Sequence, residues 1–128
     1  MQIRKFVLSC LLAASVVVLQ GCLVVAVGAG AAGTVAYVKG DLETVESANI
    51  DKVYDATLHA MDRMKLPIIA KTKDAMTAKI TSRDAQDKKV TITLTAAADR
   101  STKITIRVGT FGDQSKSVLI YDEIKKGL

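Results

Sequence analysis

Acidic residues are missing before Asp41, and charge of either sign is missing from Phe6 to Val38, a run of thirty-three residues. Such a run exceeds the ~20 residues that cross a bilayer, so the front of the chain is made for lipid or for an export channel. Aromatic residues make up 4% of the chain and Trp is absent. So few rings exclude the stacking surface on which single-stranded nucleic acid binds, and no nucleic-acid partner is expected. Histidine occurs once, at His59, and cysteine twice, at Cys10 and Cys22. That leaves no disulfide framework and no Cys/His metal pattern. It also leaves one imidazole with no positioned nucleophile, so an enzyme is not expected. The single proline, with 49% hydrophobic and 24% charged residues, excludes a disordered chain.

What is present at the front has an order to it. Arg4 and Lys5 precede the apolar run FVLSCLLAASVVVL, the layout of a secretory signal peptide. The run ends in Leu19-Gln20-Gly21-Cys22, and this LQGC resembles a bacterial lipobox. The resemblance implies a thioether-linked diacylglyceryl group on the Cys22 sulfur, cleavage before Cys22 and acylation of the new amino group. Cysteine is required because a thiolate is the nucleophile, and Gly21 leaves room at the peptidase site. Buried acyl chain contributes about 0.8 kcal/mol per CH₂, so this set of chains holds a protein stably to a membrane. An uncleaved transmembrane helix is the alternative, and the glycines and alanines of the second half argue against it. Leu23 stands where Asp would signal inner-membrane retention. The expected location is the periplasmic face of the outer membrane, with the inner membrane as the alternative. No cofactor is expected beyond the covalent lipid. The division read from this is a signal peptide over 1–21, lipidated Cys and Gly/Ala-rich tether over 22–40, and a periplasmic domain over 41–128.

Gly28 to Gly33, GAGAAG, matches G-x-G-x-x-G behind an apolar run. A dinucleotide site needs that motif inside a βαβ unit. Here it lies six residues from the lipidated Cys, no second parallel strand follows, and the domain is too short for the fold. The segment reads as a flexible tether, or as a small-residue face that lets backbones approach closely.

From Asp41 the periodicity becomes informative. DLETVE reads as a strand. Asn49 caps a helix whose apolar stripe is Ile50, Val53, Tyr54, Leu58, Met61 and Met64. A strand starts at Leu66-Pro67-Ile68. Then Met76, Ala78 and Ile80, then Val90, Ile92 and Leu94, then Ile104, Ile106 and Val108 alternate with polar residues, the mark of strands with one buried face. Asp113 caps a last helix with the stripe Ser117, Ile120, Tyr121, Ile124 and Leu128. The expected fold is α+β in two layers, in the order β-α-β-β-β-β-α, an antiparallel sheet covered on one face by two helices.

GDLETVESANIDKVYDATLHAMDRMKL, KKVTITL and above all TKITIRVGTFGDQSKSVLIYDEIKKGL resemble a family of small proteobacterial lipoproteins known only as a domain of unknown function. Its most specific piece is RVGTFGD, Arg107 to Asp113, and the resemblance implies no catalytic residues. The element order is also similar to that of BamC-type outer-membrane lipoproteins, which is an analogy of fold.

His59 lies one helical turn from Asp55 and Asp62, where a functional reading makes it a base or a metal ligand; a solvated surface histidine is the preferred reading. Charge is more telling. Residues 41–64 hold six acids and two bases, while 65–128 hold thirteen bases and seven acids. If the apolar strand residues face the helices, the other face presents Lys79, Arg83, Lys89, Lys103 and Arg107 among threonines and without an acid. A solvated sheet face is one reading, and a docking surface for an anionic envelope component or protein is the other. The expected function is therefore an anchored, non-catalytic binding or scaffold module. The alternative is an envelope assembly or stress accessory that self-associates through its tether or acidic helix.

Overall fold

The computed structural model describes residues 2–5, 7, 35–98 and 100–128. The chain divides into two units, Met1–Ala31 and Ala32–Leu128. In the first, residues 2–5 and 7 are helical, and Leu19, Gln20, Gly21, Cys22 and the GAGAAG segment lie outside the described residues.

The second unit is the α+β domain. Its elements are β1 (Ala36–Val38), β2 (Asp41–Glu46), α1 (Ile50–Arg63), β3 (Ile68–Lys73), β4 (Thr77–Arg83), β5 (Lys89–Ala97), β6 (Ser101–Val108) and α2 (Gln114–Lys125). The strands form one sheet in the order β1-β2-β6-β5-β4-β3, with every neighbouring pair antiparallel. The class and the β-α-β-β-β-β-α order hold, with one strand added in front. Ala36–Val38, expected to close the tether, is that strand: it pairs with β2 through a two-residue turn in which Lys39 and Gly40 both have positive φ, 50° and 89°. Two positive φ values make the hairpin turn whose twist matches the strands it joins. Three residues show no alternation, which is why the uncharged run hides them.

The pleat sends alternate residues to opposite sides. On one side Leu42, Ile80, Val90, Ile92, Leu94, Ile104, Ile106 and Val108 are at most 1% exposed. Both helices pack on that side. Helix α1 starts at the expected cap, Asn49, whose side chain accepts from the Lys52 amide at 2.9 Å, and α2 starts at Asp113, which accepts from the Lys116 amide at 3.1 Å. The buried line of α2 is the expected one, Ser117, Ile120, Tyr121 and Ile124. In α1 it is centred on Ala56, Thr57 and Ala60 between Val53 and Met61, while Tyr54, Leu58 and Met64 flank it half-buried. The small Ala56 side chain lets the chain after α2 come close, since a Cβ on Gly127 would lie 3.2 Å from it. Strand β3 is exposed along its length, begins after Pro67 and breaks register between Ile68 and Ala70, all of which suit an edge.

Candidate functional site: the open sheet face and the Arg107 clamp

The side of the sheet away from the helices is a grid fixed by register. One row runs Lys79, Thr93, Thr105, Glu43 across β4, β5, β6 and β2. The next on the same face runs Thr81, Thr91, Arg107, with Asp41 beyond on β2. Arg83 stands opposite Lys89. Two cations facing across strands repel, and Arg83 turns to the β4–β5 turn, where it donates to the Asp87 carbonyl at 3.1 Å and its carboxylate at 3.2 Å.

The expectation of a face without acids is corrected here. Strand β2, the earliest of the large strands in the chain, lies beside β6, the last, and its outward positions are Asp41 and Glu43. Lys103 pairs with Glu43 at 3.1 Å and Arg107 with Asp41 at 2.7 Å. Of the five cations, Lys79 and Lys89 have no ion-pair partner among the described residues, and Arg83 has only the exposed Asp87. The free positive charge is therefore confined to β4 and the start of β5.

Arg107 does more than neutralise Asp41. Its guanidinium also donates to the Lys39 carbonyl at 3.3 Å and to the Thr110 carbonyl at 2.9 Å. One planar fork thus ties together the β1–β2 turn, β2 and the loop after β6, which suits arginine and not lysine. Backbone contact completes the clamp. Gly112 has φ 85°, and a Cβ on it would lie 2.6 Å from the Tyr37 hydroxyl and inside the Gly40 backbone. RVGTFGD is thus a structural lock whose parts need Arg at 107 and no side chain at 40 and 112. Phe111, held at its crest, is 91% exposed.

Elsewhere His59 is exposed on α1, as are Asp55 and Asp62. Among the described residues no three His, Cys, Asp or Glu side chains cluster as metal ligands would, and no helix is long and apolar enough to cross a membrane. A cleft of about 290 Å³, which sequence reasoning missed, lies between α2 and the β4–β5 turn, lined by Met64, Leu66, Val90, Val108 and Leu119. Across its rim Lys116 meets Asp84 at 2.6 Å. That ammonium, with the backbone amides of Lys88 and Gln86, holds the Asp84 carboxyl below its usual range. Exposed Leu119, off the buried stripe of α2, was the one sequence signal for this cleft.

Similarity to known proteins places the chain in a family without adding chemistry. A family model matches residues 5–127, nearly the whole chain. The chain belongs to the family described as Protein of unknown function (DUF3568). No curated protein matches it. Within this DUF3568 chain, the face read as uniformly cationic and the RVGTFGD segment carry different duties: part of the former is neutralised, and the latter locks one end of the sheet.

Proposed function

We propose that this chain is a lipid-anchored, non-catalytic binding module on the periplasmic face of the bacterial outer membrane, whose exposed cations meet an anionic envelope component. The observation that carries the reading is LQGC, with Cys22 directly after the apolar run that follows Arg4 and Lys5. Anchoring frees the domain from any need to span the bilayer and holds it close to anionic surfaces, where a few lysines act by charge alone. Lys79, Arg83 and Lys89, all exposed on β4 and the start of β5, are the binding set. Lys103 and Arg107 leave it, because each is committed to an acid of β2.

Mass spectrometry of the mature N-terminus, combined with membrane fractionation, tests the anchor. A diacylated, N-acylated Cys22 in the outer-membrane fraction is expected, together with loss of lipid and of cleavage in Cys22→Ser. Native material that begins at Met1, or that partitions away from the membrane, overturns it. Sedimentation with isolated peptidoglycan and with phosphatidylglycerol vesicles tests the binding set: the triple variant Lys79→Glu, Arg83→Glu, Lys89→Glu should lose the pelleted fraction, and unchanged pelleting refutes it. A second reading, self-association, is favoured by β1, an uncharged edge strand on which Tyr37 and Val38 are exposed.

A further inference from the structure

We infer that the RVGTFGD loop is a membrane-docking device: it inserts Phe111 into the interface of an anionic phospholipid bilayer while neighbouring lysines engage the headgroups. The inference rests on the anchored reading above and names the surface the domain meets.

A phenylalanine left in water forgoes the free energy of burial, and an unconstrained loop would fold such a ring back onto the protein. Here the loop is constrained on every side. Gly109 and Gly112 have positive φ, Arg107 bonds the Thr110 carbonyl, and Gly112 lies against Gly40 and Tyr37. The whole lock spends three backbone or carboxylate contacts of one arginine, and what it achieves is a Phe111 ring held 91% exposed. Rigid presentation avoids the ordering cost that a mobile loop would meet on binding.

Charge around the ring selects the surface. A shallow groove of about 500 Å³ runs from Phe111 to Arg83, Lys88 and Lys89; the acid in its lining is the exposed Asp87, and Lys88 also lies 3.8 Å from the Asp113 carboxylate, a separation long enough to leave its ammonium facing solvent. Lys39, exposed on the turn that the clamp grips, adds a further cation. An aromatic ring standing among lysines matches the headgroup boundary of an anionic leaflet, where basic residues near the surface are drawn to the headgroups. Connectivity agrees. The turn at Lys39 follows directly on Val38, the end of the uncharged run, and Val35 and Val38 beside it are also exposed. The thirteen residue-to-residue steps from Cys22 to Val35 extend at most to about 45 Å, so a lipidated Cys22 keeps this loop within reach of the bilayer.

The absence of Trp makes the test clean. The full-length lipoprotein carrying Phe111→Trp is reconstituted in vesicles of phosphatidylglycerol or of phosphatidylcholine, each with and without brominated acyl chains; Ile69→Trp, on the exposed β3 edge, serves as the reference. Blue-shifted emission quenched by bromine at position 111, in phosphatidylglycerol only, is the expected result. It should be lost at 1 M salt, where the screening length is about 3 Å, and in a background of Lys39→Glu, Lys88→Glu and Lys89→Glu. Water-like, unquenched emission from position 111 while the protein floats with the vesicles overturns the docking and leaves the anchor standing. Protein that fails to float at all refutes the anchor. A blue shift without bromine quenching assigns the ring to a protein surface and overturns the lipid assignment.

Discussion

The two faces of the sheet are made from the same strands and differ in every physical respect. Toward the helices, Ile92, Leu94, Ile104 and Ile106 are wholly buried, and any apolar residue of the right volume would serve. Toward solvent, neighbours Thr93, Thr105, Lys79 and Glu43 share a row, and identity matters more than volume because each charge is judged by what stands opposite. The comparison teaches that burial follows from alternation along one strand, whereas charge balance follows from which strand lies next door.

The sharpest way to break the contrast is to carve the buried side. Ile92→Ala should destabilise the domain by about 2–5 kcal/mol, read as a lowered urea midpoint, because a cavity is left among residues that cannot collapse into it. A buried polar group comes next. Tyr121 is packed against the sheet and donates to the Glu46 carboxylate, and burial first, then that carboxylate, pushes its hydroxyl from 10.0 up to about 12. A raised folded value means that the stabilisation is complete below about pH 10 and is lost as pH climbs through 12. Wild type should therefore lose about 2 kcal/mol more than Tyr121→Phe between pH 9 and pH 12 in parallel unfolding curves; equal losses would show that the phenol does not sense the core. On the open side the clamp should cost less. Arg107→Lys keeps the charge but not the fork, and a loss of about 1–2 kcal/mol is expected, with faster amide exchange at Gly109–Gly112. Smallest of all, Thr93→Ala, in the middle of the open face, should stay within about 0.5 kcal/mol. A large effect there would erase the distinction between the faces.

Much of the buried side was legible. Period-two spacing in Val90–Leu94 and Ile104–Val108 assigned the inward residues, and Asn49 and Asp113 marked both helix starts, since a short acceptor followed by a periodic segment satisfies the free amides of a first turn. The stripe of α1 was read one position off its centre, on Tyr54 and Leu58, because Ala56, Thr57 and Ala60 carry little hydrophobic signal yet are buried. The open side was legible only strand by strand. Lys103 and Arg107 looked free because their partners, Glu43 and Asp41, lie some sixty residues earlier. Short β1 was hidden inside an uncharged run, and the Lys39-Gly40 dipeptide was its only punctuation.

By itself the sequence determined the two-layer α+β class, the inward face of each long strand, the helix caps and the uncharged segment that contains LQGC. These depend on local periodicity or on adjacent residues, which the chain carries wherever it folds. Tertiary structure alone decided that β2 lies against β6, that Arg107 grips three segments, and that Phe111 is held out in water. Such facts depend on which distant residues become neighbours, and electrostatic and steric contacts at a few ångströms exist only after that choice is made.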